Sequence, residues 1–470
     1  MIPIVTPEEM AAIDAAAPEP VEELIERAGA ALARTALDTL GGGYGRRVTV
    51  LAGKGNNGAD GRAGAERLRR RGVRVAVVDA NDAPNSLPAA HLAIDAAYGT
   101  GLRQPYSPPS PVPLLDHPNR AAPILAADIP SGVNGLTGEV VGEPWIADQT
   151  VTFGALKPGL ILHPGAQHCG QVTVASIGLD VSSARTHLVA ADDVSAWLPV
   201  RPAEAHKWQS ACWVIAGSPG MTGAAHLAAT AALRGGSGYV RLSTPGLEAA
   251  GLLAGPAAPI EAVGFPLSAD DWAAAVDAAD LNRFKAMLVG PGLGRQPHTL
   301  QAVRDLAAKS PLPLVIDGDG LCAFGPDTPE VLSQRTAPTV LTPHDGEYRI
   351  LTGTAPGPDR FAAARSLSAA TGALVLLKGP TTVIAHPGGE AVAVTSGDAR
   401  LATAGTGDVL AGLICGLLSA GTDPLKAAAA AAWLHGRAAA ARPPAAMAAS
   451  DLLLALPEVW KGAVRQAAVR

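Results

Sequence analysis

Arg47-Val48-Thr49-Val50-Leu51-Ala52-Gly53-Lys54-Gly55-Asn56-Asn57-Gly58-Ala59-Asp60-Gly61 is the stretch on which the fold turns. A short β-branched run over residues 47–51 enters a glycine-rich loop, and a basic-faced helical pattern follows over residues 61–71. Further strand signals fall at residues 73–78, 91–97 and 123–127, each ending in a polar loop. Upstream, helical periodicity covers residues 8–16 and 21–40, interrupted at Pro18-Glu19-Pro20. Strand, loop and helix repeating in this way predict a parallel sheet with helices on both faces. Ligands then bind at the carboxyl ends of the strands.

The loop itself is neither the G-x-G-x-x-G fingerprint nor a P-loop. Two asparagines and an aspartate make it rich in oxygen ligands, suited to a hard monovalent cation, a phosphate or a ribose. A plain asparagine-rich turn is the competing reading. Three later loops reach the same sheet edge. Asp95 precedes Gly99-Thr100-Gly101-Leu102-Arg103-Gln104-Pro105, and Asp128-Ile129-Pro130-Ser131-Gly132 closes the next strand. Thr152-Phe153-Gly154-Ala155-Leu156-Lys157-Pro158-Gly159 closes another. A strand-end aspartate taken singly reads as well as a helix cap; together they place carboxylates, amides and hydroxyls over one crevice.

A second α/β series runs from residue 213, with strands expected at 213–216, 239–242, 286–289, 313–316, 339–341 and 373–377. Its loops carry Gly217-Ser218-Pro219-Gly220-Met221-Thr222-Gly223-Ala224-Ala225, Gly290-Pro291-Gly292-Leu293-Gly294 and Leu341-Thr342-Pro343-His344-Asp345-Gly346-Glu347. Lys378-Gly379-Pro380-Thr381-Thr382 forms a turn between two strands. Ala404-Gly405-Thr406-Gly407-Asp408 opens an apolar helix expected to reach residue 420. Glycines let the backbone approach an anion, and a helix start offers free N–H groups and a positive dipole end. A carboxylate beside that anion hole can take a proton from a hydroxyl as phosphate transfers to it. Alone, the motif reads equally as a capped helix.

At 470 residues the chain exceeds what one core serves, so two α/β domains are expected, at residues 1–200 and 201–470. Residues 191–207, with Pro199 and Pro202, read as their connection. Hydrophobic residues make up 48% and charged residues 17%, with a net charge of −6. That balance leaves no basic footprint for nucleic acid and no polybasic run for an anionic membrane. No apolar run reaches the ~18–20 residues that span a bilayer. The acidic start, without Lys or Arg before Arg27, is unlike a secretory signal. Cys169, Cys212, Cys322 and Cys415 are far apart and read as buried thiols in a reducing compartment, so a cytoplasmic location is expected.

In residues 1–200, G-K-G-N-N-G-A-D-G, D-I-P-S-G and T-F-G-A-L-K-P-G resemble the NAD(P)H-hydrate epimerase domain family. The resemblance implies a Rossmann-like three-layer α/β/α sandwich. It implies that Asn56, Asn57, Gly58, Ala59 and Asp60 contact the hydrated nucleotide, as do Gly99, Thr100, Gly101, Leu102, Arg103, Gln104 and Pro105. Asp128 would touch the substrate as acid–base, and Asn57, Asp95 and Ser131 would ligate potassium. The family carries glycine where Ala59 stands, and a methyl group there disfavours positive φ.

Residues 205–460 resemble the NAD(P)H-hydrate dehydratases of the ribokinase-like superfamily through G-S-P-G-M-T-G-A-A, G-P-G-L-G, L-T-P-H-D-G-E, L-K-G-P-T-T and A-T-A-G-T-G-D-V-L-A-G. By that resemblance Ala224, Gly294, His344 and Asp408 contact the hydrated nicotinamide nucleotide, with Asp408 catalytic. Lys378, Gly379, Pro380, Thr381, Thr382 and Gly407 hold the adenine nucleotide, ADP or ATP, with magnesium. His206-Lys207-Trp208 departs from the family's histidine-lysine-glycine start. The implied whole is a two-domain repair enzyme for NADHX and NADPHX that forms a homo-oligomer, with ADP favoured as phosphoryl donor. Two rivals are a kinase for a small alcohol and a protein whose first domain is a non-catalytic binding module.

Overall fold

The computed structural model describes residues 1–470 except Arg103 and residues 256–257, 326–327 and 469–470. The chain divides into two compact units, Ile2–Thr186 and His187–Arg470, with Met1 counted in the second.

In the first unit, strands β1 (Arg47–Ala52), β2 (Arg74–Asp79), β3 (Leu92–Ala96), β4 (Ile124–Ala127), β5 (Gln149–Phe153) and β6 (Gln171–Ala175) form one sheet in the order β2-β1-β3-β4-β5-β6. Every pairing is parallel. The central strands β3 and β4 are buried along their whole length, as a parallel sheet covered on both faces requires. Helices α1 (Pro7–Ala16), α2 (Val21–Leu40) and α3 (Asn56–Arg70) belong to this unit. One face packs Leu32, Leu68, Val50, Ile94 and Leu125 beneath α2 and α3. Those two helices approach closely at Gly29, where an added Cβ would lie 2.5 Å from the Ala63 Cβ.

The other face departs from the expected helical cover. Leu51, Ala93 and Ala126 pack there against Leu87, Val112, Ala122 and Trp145, which lie outside any helix. Prolines 84, 88, 105, 108, 109, 111 and 113 explain it: each removes a backbone donor and fixes φ, so no helix propagates through the segment.

In the second unit, helix α4 (Ala191–Trp197) is followed by β7 (Ala211–Ile215), α5 (Thr222–Arg234), β8 (Tyr239–Ser243), β9 (Val263–Gly264), β10 (Ala286–Val289), β11 (Leu314–Ile316), β12 (Thr339–Leu341) and α6 (Asp345–Thr352). Then come β13 (Leu374–Leu377), β14 (Thr382–Ala385), β15 (Ala391–Val394), α7 (Thr406–Ser419), α8 (Pro424–Ala440) and α9 (Ala449–Ala468). The sheet runs β9-β8-β7-β10-β11-β12-β13-β14-β15. It is parallel from β9 to β13, and β14 and β15 return antiparallel. Residues 409–419 of α7 are all buried, so this helix is apolar all round and lies inside the core. Its Gly412 and Gly416 meet the Ala228 and Ala232 carbonyls of α5, where a Cβ would stand at 2.2 and 2.4 Å.

Residues 191–198, the first part of the expected connection, are not a free linker. Val189, Val194 and Leu198 are buried in the second unit's core, and Trp197 packs against it. The division falls between Thr186 and His187, ahead of the 200/201 boundary drawn from the two prolines. Trp208 stacks on Tyr239 with ring centroids 4.3 Å apart. Among the described residues no helix is long and apolar enough to cross a membrane.

Candidate active sites

The first unit holds a cavity of about 830 Å³ beyond the carboxyl ends of its strands. Asn56, Asn57, Asp60, Gly99, Thr100, Gly101, Leu102, Gln104, Pro105 and Asp128 all line it. Arg103 lies outside the described residues. Gly58 and Ala59 do not line it. Helix α3 begins at Asn56, inside the stretch read as loop, so residues 58 and 59 sit in a helical turn. Gly58 packs on the backbone of Gly53, whose carbonyl oxygen would stand 1.9 Å from an added Cβ. Ala59 donates its N–H to the Gly55 carbonyl at 3.0 Å and has no positive φ, so its methyl group meets no conformational penalty.

Asp128 is the one non-glycine residue with positive φ among those described, at 62°. Its Oδ1 accepts from Thr152 Oγ1 at 2.9 Å and the Phe153 N–H at 3.2 Å, and it forms an ion pair with Lys157. Lys157 is 2% exposed and also donates to Thr152 Oγ1 at 2.9 Å and the Phe153 carbonyl at 3.0 Å. A left-handed aspartate costs of order 1–3 kcal/mol and persists only where its surroundings hold it.

Asp60 has a different environment. It is buried beside Asp14, Asp128 and Lys157, and burial, then the Asp128 charge, pushes its carboxyl up to about 8. Burial likewise raises Asp14. The sequence reading missed Lys157 and Asp14 as site residues; Lys157 was visible as a lone cation in an otherwise apolar strand-end motif.

Behind this wall, Asp95 accepts from Ser131 Oγ at 2.6 Å and from the Ser131 N–H at 2.9 Å, and burial raises its carboxyl. Among the described residues, both amide atoms of Asn57 are buried without a hydrogen-bond partner, as is the Tyr106 hydroxyl. Orphaned buried polar atoms carry a penalty of about 1–3 kcal/mol each unless something meets them. An oxygen-only donor set of amide, carboxylate and hydroxyl fits a hard cation.

In the second unit, Gly405 starts α7 with φ 89°. Glycine is required there because the left-handed turn aims the next amides at one point. A Cβ on Gly407 would lie 3.6 Å from Lys378 Nζ and 3.9 Å from Asp317 Oδ2. Lys378 Nζ reaches Asp317 Oδ1 at 2.8 Å and Glu347 Oε2 at 3.5 Å. Burial alone would disfavour its charge, but Asp317 and Glu347 more than offset that and raise its pKa. Thr342 donates to Asp317 at 2.6 Å. Asp408 is pushed up to about 7 by burial and then by Asp317.

His344 caps α6: its Nδ1 accepts from the Gly346 and Glu347 N–H groups at 3.0 and 3.2 Å, and its Nε2 lies 3.5 Å from Glu347 Oε1. The Gly294 N–H donates to Asp319 Oδ2 at 3.0 Å, and Arg295 pairs with Oδ1 at 2.7 Å. Ala224 lies in the first turn of α5, its Cβ 2.9 Å from where a Cβ on Gly292 would be. Gly379, Pro380 and Thr382 line a cavity of about 60 Å³ with Leu410 and His435, and Thr381 is buried beside them. Asp317, Asp319 and Glu347 were not singled out from sequence. Ile316-Asp317-Gly318-Asp319-Gly320 carries the same strand-end signal that marked Asp95 and Asp128.

The family model described as NAD(P)H-hydrate dehydratase matches residues 212–458, and that described as YjeF-related protein N-terminus matches residues 21–88 and 78–159. The "Bifunctional NAD(P)H-hydrate repair enzyme" of Salinibacter ruber is 38% identical, over 93% of this chain and 91% of its own length. That of Mycobacterium tuberculosis H37Rv is 38% identical, over 83% and 82%. A solved ADP/ATP-dependent NAD(P)H-hydrate dehydratase from Bacillus subtilis, co-crystallised with ATP and Mg²⁺, superposes with a TM-score of 0.52 at 32% identity. It covers 59% of this chain and 98% of its own. With matches of this identity along nearly its whole length, and an acid, a lysine and an anion hole gathered at one point, the chain belongs to the bifunctional NAD(P)H-hydrate repair enzymes.

Proposed function

We propose a specific division of labour between the two sites. In the second unit Asp408 takes the proton of the C6 hydroxyl of (S)-NADHX or (S)-NADPHX as the terminal phosphoryl group of ADP moves onto that oxygen. The amides of Gly405, Thr406 and Gly407 and the Lys378 ammonium neutralise charge on the group in transfer. AMP leaves. The C6–O bond then breaks with its electrons going to phosphate, C5 gives up a proton, and the C5–C6 double bond of NAD(P)H returns. Ala224, Gly294 and His344 hold the hydrated nicotinamide, and residues 378–382 with Gly407 hold the nucleotide.

The observation that carries this reading is the meeting of Gly407, Lys378 and Asp317 within 4 Å. Magnesium, when bound with the nucleotide, would supply further charge neutralisation on the phosphates. The Bacillus subtilis relative crystallised with ATP and Mg²⁺ supports nucleotide and metal on this side.

In the first unit the cavity takes either epimer, and Asp60 and Asp128 face the carbinolamine. Asn57, Asp95 and Ser131 hold potassium, a reading supported by the orphaned Asn57 amide and by the burial of the Asp95 and Ser131 oxygen donors. Its presence would steady negative charge at that wall. Four free cysteines suit a reducing cytoplasm, and a homo-oligomer is expected on light scattering.

The test is ³¹P NMR of the protein with (S)-NADHX and ADP. AMP and phosphate should appear in equal amounts with NADH, and ADP should give a higher kcat/KM than ATP. A stable phosphoester with no NADH would instead identify an alcohol kinase.

A further inference from the structure

We propose that Asp60 is the catalytic acid of the epimerase site, giving a proton to the departing C6 hydroxyl and receiving it back, while Lys157 keeps Asp128 as a fixed negative charge. The assignment rests on the first unit's cavity being the epimerase site. It follows from how differently the two carboxyls are held. Asp128 is held through Oδ1 by Thr152, Phe153 and Lys157, so that oxygen is occupied and its charge stands beside the Lys157 ammonium. Asp60 projects from α3 into the same cavity wall, is 8% exposed, and hydrogen-bonds to no protein group among the described residues. Two carboxyls forced apart in environment are the pattern by which one site holds an acid and a base together.

The step balances without an external reagent other than water. The ring nitrogen lone pair forms N1=C6 as the C6–O bond breaks, and the oxygen leaves as water with the Asp60 proton. A conjugated iminium cation results, facing two carboxylates, Asp60 and Asp128, which stabilise it. Water adds to the opposite face at C6, and the proton it sheds returns to Asp60 through the solvent of the cavity. One water leaves and one enters, no electrons are transferred, and the acid is regenerated.

The charged groups facing Asp60 are Asp14 from α1, Asp128 and Lys157. Glu19 at the rim pairs with Arg27 at 3.1 Å. Burial and the two aspartates outweigh Lys157, so the carboxyl holds its proton up to about pH 8. The active form is the protonated one, so epimerisation falls as pH rises through that value.

The experiment uses the full chain with (R)-NADHX and reads conversion to the S epimer by chromatography between pH 6 and 9.5. Wild type should lose rate above pH 8. Asp60→Asn, of the same shape, should lower kcat by about 100-fold or more with KM within about threefold, and its residual rate should lack the alkaline limb. Asp60→Glu should recover part of the rate and the limb. A structural role would shift melting temperature and leave the pH profile's shape alone. The proposal is overturned if Asp60→Asn stays within tenfold of wild type in kcat, if it moves KM alone, or if wild type shows no alkaline limb. If wild type epimerises nothing while (S)-NADHX is still dehydrated, the underlying epimerase reading fails, and the proposal with it.

Discussion

At the scale of single residues, function here opposes stability. Asp408 carries a carboxyl raised from 3.8 to about 7. A raised carboxyl leaves the fold fully stabilised below about pH 4 and progressively less so as pH climbs through 7. Asp408→Asn, which cannot ionise, should therefore gain on the order of 2 kcal/mol relative to wild type at pH 8 and nothing at pH 4. Urea melts at the two pH values measure this. The same variant should lower dehydration by about 100-fold or more. As a base, Asp408 must be ionised, so wild-type dehydration should fall as pH drops through about 7; a rate flat from pH 5.5 to 8 would exclude that role.

Lys157 shows the converse. Lys157→Met leaves the Asp128 charge unpaired in a largely covered position, and the first unit should lose about 3–5 kcal/mol, read as a lower denaturation midpoint for that unit. Asp408 and Lys378 were legible in sequence because glycines flank them in local motifs. Asp317, Glu347 and Lys157 were not singled out, although each lies in or next to a strand-end motif, because the sheet order is what gathers them.

At the scale of elements, the strands were legible to within a few residues because short β-branched runs end at glycine or aspartate. Residues 286–289 and 339–341 match their strands end for end. The start of α3 was not, because Asn56 and Asn57 favour loops in isolation while the turn closes on Gly53. Two substitutions separate these influences. Gly58→Ala would drive a methyl group into the Gly53 carbonyl, and should abolish epimerisation by displacing Asn57 and Asp60 from the cavity. Ala59→Gly restores the family residue yet should not raise activity; it should cost about 0.5–1 kcal/mol of helix stability. Thermal melts with epimerase assays on both variants check the pair. A strongly activated Ala59→Gly would mean that residue 59 does press on the substrate. The helix-free face of the first sheet was misread for a related reason. Its prolines span the whole cover of that face, so no helix propagates there.

At the scale of the whole molecule, each cavity and each acid lies within one unit, so the two activities should be lost separately. Asp408→Asn should keep wild-type epimerisation, and Asp60→Asn should keep dehydration of the S epimer. That two domains existed was legible from length and from the motif series. Their division was not, because Val194 and Leu198 look like linker residues until the core they fill is seen. The account is tested most directly by absorbance at 340 nm on an equal mixture of (R)- and (S)-NADHX with ADP, magnesium and potassium. It predicts that wild type restores NADH from both epimers to completion, and that Asp60→Asn stops rapidly once the S epimer is consumed. No rise at 340 nm from wild type, or complete rapid conversion by Asp60→Asn, would contradict it.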